Sequence, residues 1–495
     1  MNADGLPGIR RAPQPLPVEV EYVLAPARVL RRPPTGEGFR KCTMESTTVT
    51  SPPRLRRVLT LWDLVFYGIV LIQPIAPVGI FGIAQKISHG HVSTAVLAAM
   101  VAMALTAFSY GRMAAVYPSA GSAYTYVSRG LNRYVGSLIG WAMVLDYLLI
   151  PIINVIYPAL TFKRLFPAVP YAAWVVLIVG IIIFLNLRNV RFTARANEAL
   201  LAVVCVVVAA FFFTAVRYLF HFQGLGGLIS FEPFYSPKTF DFGALRTATS
   251  LAALTYIGFD GVTTLAEEVE NPKRTVPIAT VLVCLICGVL STLEVYLGTR
   301  VWPNYNTFPN LETAFIDVCF RVGGVVLFQA MAVVLIVACL GSGLAGVAGA
   351  ARLLYGMGRD NLLPRKFFAR LDPKHNVPAL NALAIGVLTL IGALLISYER
   401  AAEMLNFGAF LAFMGVNLTC IRQFCFRPEA GRSRNFFRDL FVPGLAFVFC
   451  FGIWWSLPRP AKWAGGIWFL AGVAYAAIRT RGFRSAPPQM DFADL

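Results

Sequence analysis

The chain has 495 residues, 57% hydrophobic and 14% charged, with a mean hydropathy of +0.66 and a formal net charge of +18. An ordinary soluble domain carries roughly 25% charged residues, so this composition excludes a soluble enzyme, a nucleic-acid-binding module and a disulfide-built secreted scaffold. In a polytopic membrane protein the positive charge reads as topology, not as attraction to nucleic acid.

Residues 1–57 are rich in Pro and Arg and hold no apolar run long enough for the core of a signal peptide. They carry too little apolar surface to fold, which predicts a disordered cytoplasmic tail. Met44 opens a compact lead into the first apolar run, so residues 1–43 read equally as a tail or as a translated leader.

Twelve apolar runs follow, each near the roughly 20 residues that a helix needs to cross the hydrocarbon core. They lie at 58–84, 92–117, 134–162, 171–188, 197–220, 246–268, 277–301, 324–352, 378–397, 402–424, 440–457 and 463–480. No β-barrel alternation is present, so an all-α integral membrane protein is predicted. With the N-terminus inside, the inward segments from Arg54 onward hold 25 Lys and Arg against 11 in the outward ones. That bias predicts a multi-pass protein of the plasma (inner) membrane with both termini cytoplasmic.

Run 1 reads YGIVLIQPIAPVGIFG, with Pro74 and Pro77 inside a span; run 6 reads LTYIGFDGVTT, with Gly258 and Gly261 around Asp260. Proline removes a donor and clashes with the preceding turn, so carbonyls and amides are freed near mid-membrane. Five helices separate the two breaks, the arrangement of a transporter built from two repeated halves with its site where broken helices meet. A kink packed against its neighbours is the plainer reading of run 1 alone.

Carboxylates at bilayer depth need a cation, a proton or water. Asp260 sits at the break of run 6, where capping of the broken segment is its structural alternative. Asp146 lies mid-way through run 3, with Asn154 two turns on, and pairing with another helix is its alternative. Glu267 falls two turns from Asp260 on one helical face, yet together with Glu268 and Glu270 it also reads as a solvated end facing Lys273 and Arg274. Glu198, Glu294 and Glu403 lie toward helix ends, where water is easily reached, and read as structural. Tyr110, near the inner end of run 2, reads first as an interfacial anchor.

The cysteines form no framework, and the CxxC of Cys284 and Cys287 lies in an apolar run without redox or zinc context. No histidine pair has ligand spacing, so neither a metal nor another cofactor is expected. The glycines at 341, 343, 346 and 349 form a small-residue face suited to close helix packing.

Three stretches, YPSAGSAYTYVSRGLNRYVGSLIGW (117–141), GFDGVTTLAEEVENPKRTVPIAT (258–280) and ARLLYGMGRDNLLPRKFFARLDPKHNVPALN (351–381), resemble loops of the amino acid, polyamine and organocation permeases. The resemblance runs from about 58 to 480. SYGR (109–112), LDYLLIPIINV (145–155), GFDGVTTLAEE (258–268) and NFGAF (406–410) are most similar to polyamine-importing members.

The resemblance implies a five-plus-five inverted-repeat fold over 58–424, with helices 1 and 6 discontinuous. Two additional helices within 425–480 and a tail at 481–495 would follow. It implies alternating access, with proton-coupled or exchange-type movement of a small amine-bearing solute. Carried onto this chain, the substrate cradle is the run 1 break around Ile72, Gln73 and Pro74 together with Thr255, Tyr256, Gly258 and Asp260, and Asp146 and Asn154 join it if they face the cavity. The coupling or pathway candidates are Asp260, Asp146, Glu267 and Tyr110.

Three departures qualify it. Ile72-Gln73-Pro74 replaces the GxG break whose amides hold a carboxylate in amino-acid carriers, which favours a ligand without one. Val204 stands where some proton-coupled relatives carry lysine, and Leu254 where many carry an aromatic gate.

The leading expectation is therefore a permease, not an enzyme, importing a small cation such as putrescine. An amino acid permease for basic or neutral substrates is the alternative within the class. A non-transporting amine sensor is the alternative outside it, and the lack of a folded output domain counts against that.

Overall fold

A computed structural model describes residues 58–118, 122–188, 194–266, 268–359, 363–372, 377–427, 434–482 and 484. The expected tail at 1–57, Glu267 and the stretch 485–495 lie outside the described residues, as does the side chain of Glu198. Among the described residues every regular element is helical, and pairing of extended backbone is confined to one parallel bridge between Leu59 and Val269.

The first half holds α1 (Leu61–Ile72), α2 (Phe81–Ile87), α3 (Val92–Val116), the short α4 (Ser122–Gly130), α5 (Arg133–Leu165), α6 (Tyr171–Leu187) and α7 (Ala194–Leu228). The second holds α8 (Phe242–Ala252), 3₁₀ turns at Ala253–Tyr256 and Phe259–Leu265, α9 (Pro272–Val301), α10 (Ala314–Arg359), the one-turn α11 (Arg365–Phe368), α12 (Ala379–Leu395) and α13 (Tyr398–Ile421). Two further helices, α14 (Val442–Trp455) and α15 (Arg459–Arg479), close the chain.

Among the described residues nine helical stretches are long and apolar enough to cross a membrane. The shorter apolar α6 and α12, and the broken Phe242–Leu265 segment, bring the crossings to the twelve expected. Some helices outrun their apolar runs: α10 breaks at Gly324, whose φ 64° and ψ −157° are not helical, so its long apolar piece begins there as expected, and that piece continues to Arg359, past the expected end at 352. Polar ends extend a helix past the lipid, where hydropathy no longer tracks it.

Local chemistry sets several helix starts. Thr60 and Asp63 form a reciprocal capping box at α1, with Asp63 Oδ2 accepting from the Thr60 amide at 2.9 Å. Asn132, Asp241 and Ser397 cap α5, α8 and α13.

Two faces can be defined from the packing. At the near face the lead into α1 joins the lead into α9, Leu59 donating to Glu268 O at 3.0 Å. At the far face the ends of α2 and α9 meet, Thr299 donating to Gln85 Oε1 at 3.2 Å. The two later helices dock on the core through Trp141 of α5 and Trp468 of α15, and through Arg112 of α3 and Asp439 ahead of α14.

Candidate functional site

Helix α1 ends where Gln73 adopts φ 64°, ψ 123°, a left-handed φ that side chains disfavour. Pro74 follows and cannot donate, so the helical hydrogen-bond ladder stops there. A 3₁₀ turn at Ala76–Gly79 leads into α2. The second break centres on Gly258, at φ 118°, between the two 3₁₀ turns. The breaks touch: a Cβ on Gly258 would stand 3.3 Å from the Leu71 carbonyl oxygen, so glycine serves both its φ and this approach.

Between them lies a cavity of about 350 Å³. Leu71, Ile72, Gln73, Ile75, Ala76 and Gly79 form one wall, and Leu254, Ile257 and Gly258 another. Helix α5 adds Tyr147, Ile150, Ile153, Asn154 and Tyr157, α10 adds Ser342, and α13 adds Tyr398. On the far side the rings of Tyr157 and Tyr398 lie 5.5 Å apart, and a Cβ on Gly79 would come 2.6 Å from the Tyr398 hydroxyl. Tyr157 and Tyr398 are 2% and 5% exposed, against 38% and 37% for Leu71 and Tyr147 toward the near face. The cavity is shut on the far side and open on the near side.

The acids sit behind this wall. Neither Asp146 nor Asp260 lines the cavity. Backbone amides of Gly258, Asp260 and Gly261 point at the Asp260 carboxyl, the capping arrangement that a broken segment offers. Asp146 Oδ1 is buried without a hydrogen-bond partner among the described residues and presses on α13, where a Cβ on Gly408 would stand 2.6 Å from it. The two carboxyls are close enough to feel each other's charge, and Tyr147, on the cavity wall, feels both.

Of the other expected residues, Ile72, Gln73, Asn154 and Gly258 are on the cavity wall. The Gln73 side chain donates to Ala338 O at 3.5 Å, and Asn154 donates to Ile150 O at 2.9 Å. Pro74 instead borders a smaller neighbouring cavity of about 140 Å³ between α1, α7 and α10. Thr255 and Tyr256 are fully buried away from the wall, and Tyr256 donates to Val96 O of α3 at 2.9 Å, tying the broken segment to its neighbour.

Tyr110 is no interfacial anchor. It is fully buried, edge-on to Tyr126, Phe259 and Phe413, and within electrostatic reach of Asp260 and Asp146. Glu294 and Glu403, expected near water, are buried too. Tyr157, Tyr398 and Ser342 are wall residues that sequence reasoning misses. Tyr157 follows Asn154 by three residues, a spacing that shares its face; nothing local marks Tyr398. Among the described residues no group of three His, Cys, Asp or Glu could hold a metal.

A family model described as amino acid permease matches residues 61–458. The low-affinity putrescine importer PlaP of Escherichia coli strain K12 is 34% identical over 447 residues, covering 90% of this chain and 98% of that protein. The branched-chain amino acid permease BcaP of Lactococcus lactis is 28% identical, covering 79% and 87%. The vacuolar cationic amino acid transporter 4 of Arabidopsis thaliana is 28% identical, covering 77% and 65%. Among solved structures, a point mutant of the manganese transporter of Eremococcus coleocola aligns with TM-score 0.53 at 13% identity, over 89% of this chain and 99% of that one, a likeness of fold alone.

Proposed function

The chain belongs to the amino acid permease family, and on that footing we propose that it imports a small amine-bearing solute, putrescine first among them, by alternating access. The observation carrying this reading is the pair Asp146 and Asp260, gathered behind Tyr147 on the near side of a cavity whose wall, among the described residues, holds three tyrosines and no carboxylate.

A diammonium solute suits that layout. Tyrosine faces attract a desolvated cation, and the paired carboxyls draw it onward once Tyr147 yields. With the termini cytoplasmic, the near face is the inner one and the cavity opens inward. The solute would then enter past Tyr157 and Tyr398, rest between the two breaks, and leave by Asp260 and Asp146. Residues 58–424 would carry this cycle, with α14 and α15 as a flank.

Two of the relatives carry amino acids, which supports a second reading in which Gln73 and the first break hold a carboxylate. Uptake of labelled putrescine into proteoliposomes, with and without an inward proton gradient, separates the two. Saturable uptake blocked by diamines and untouched by amino acids is the expected result. Transport of lysine, arginine or a neutral amino acid without putrescine would replace it with the second reading.

A further inference from the structure

Glu294 belongs to neither break. It lies on α9, is 1% exposed, and among the described residues neither of its carboxyl oxygens has a hydrogen-bond partner. Ser291, one turn away on the same helical face, is fully buried and likewise has no partner there for its hydroxyl. One turn farther toward the far face, a Cβ on Gly298 would touch the rings of Phe81 and Phe315. Phe81 packs edge-on to Phe315 at 5.3 Å, and Phe211 of α7 lies 4.8 Å from Phe315. Phe81 of α2 and Phe315 of α10 thus meet α9 one turn beyond Glu294, with Phe211 of α7 packed on Phe315, an aromatic cap over α9 on the far side of that residue.

Among the described residues, the groups around it offer no countercharge. The thiols of Cys287 on α9 and Cys319 on α10 feel Glu294, and Cys287 also feels Cys205 of α7. The nearest charged residues along these helices are engaged elsewhere, Asp317 with Arg164 at 2.7 Å and Arg300 with Glu232 at 3.4 Å. On α2, Gln85 accepts from Thr299, and the one cation, Lys86, is exposed and within electrostatic reach of Glu399. A charged carboxylate buried without a cation is among the costliest side chains a membrane protein can hold.

We propose that Glu294 is a proton-binding site, loaded as the neutral acid while the Phe81–Phe211–Phe315 cap is closed, and that its proton is the one exchanged with each transport cycle. Uptake converts the carboxylate to the acid, and release returns the proton to the opposite side. The cap joins the first break, through α2, to α7 and α10, so movement of that break against those helices opens or seals the carboxyl. The proposal rests on the transporter reading above.

The test uses the full chain in proteoliposomes with putrescine and a pH-sensitive dye inside. Glu294→Gln, which copies the neutral acid, is expected to lose proton influx and gradient-driven accumulation, whereas Glu294→Asp keeps both with a shifted pH dependence. Accumulation by Glu294→Gln equal to the parent's, or uptake driven by a sodium gradient in place of a proton gradient, overturns the proposal. A second measurement needs no transport: difference infrared spectra of the purified parent should hold a protonated-carboxyl band that Glu294→Gln removes and Glu294→Asp moves. A parent that moves no solute yet shows that band ends the transporter reading while keeping the proton site; a parent without the band ends the site.

Discussion

Trp141 and Trp468 hold each other by reciprocal hydrogen bonds, each indole N–H donating to the other residue's backbone carbonyl, at 2.9 and 3.0 Å, with the rings stacked 5.0 Å apart. Tyr475 extends the stack, and Gly472 lies so close against Trp141 that a Cβ there would run into the indole ring. Trp468→Ala removes the stacked ring and its hydrogen bond to the Trp141 carbonyl but keeps the carbonyl that accepts from Trp141, a loss of roughly 3 kcal/mol for a packed aromatic truncation. The melting temperature in detergent should fall while putrescine affinity stays. An unchanged melt would mean that α15 is held by something else.

Asp260 is expected to be indispensable. Asp260→Asn keeps the shape and exchanges an acceptor for a donor facing the amides of Gly258 and Gly261. Uptake should vanish with expression and folding intact. Full transport by this variant would remove the central claim about the acid pair.

Asp146 is tested from the opposite helix. Gly408→Ala places a methyl group 2.6 Å from Asp146 Oδ1 and 2.7 Å from the Ala142 carbonyl oxygen, and Asp146→Asn removes the charge while keeping the volume. If the carboxyl pair serves a second ammonium, both changes weaken competition by diamines more than by monoamines. Equal losses for the two ligand classes would make Asp146 a packing residue.

Arg112 and Asp439 form a buried ion pair at 2.5 Å, with the guanidinium also over the Phe424 ring at 3.7 Å. Removing one member of such a pair leaves an unmatched charge and costs about 3–5 kcal/mol. Asp439→Asn should therefore lower stability more than the double change with Arg112→Gln, read as urea or thermal midpoints. A double variant at least as unstable as Asp439→Asn alone would contradict this.

His91, at the far face, meets Thr239 Oγ1 at 3.1 Å and Phe240 edge-on. Burial lowers its proton affinity, outweighing the opposing pull of the Pro233 and Glu232 backbone carbonyls, and neighbouring His89 adds to the lowering. Its contribution is thus whole above the ordinary histidine range, near pH 6.5, and drains as acidification lets the unfolded chain take up a proton that the folded one refuses. Melts should show the parent losing stability from about pH 7 downward more steeply than His91→Gln does. Parallel curves would rule His91 out as the cause.

Most of the architecture was legible in the sequence. Hydropathy alone exposes the twelve crossings, because a lipid-facing helix has no polar alternative, and the paired prolines and glycines mark both breaks. The site was legible only in part. Gln73, Asn154 and Gly258 do line the cavity, whereas Asp146 and Asp260 stand one layer behind it. Hydropathy gives depth along a helix but not the direction a side chain faces. For the same reason Glu294 and Tyr110 read as interfacial residues although each is buried against neighbours from distant parts of the chain.

The first break is set by its own residues. Gln73 holds a left-handed φ and the next residue is a proline, which brings no amide to the ladder, so the helix loses its geometry and a donor at one point. Joining α1 to the turn after it would require the Gln73 backbone itself to change, whereas swinging one piece against the other would not. The joint can therefore act as a hinge without first unwinding a helix.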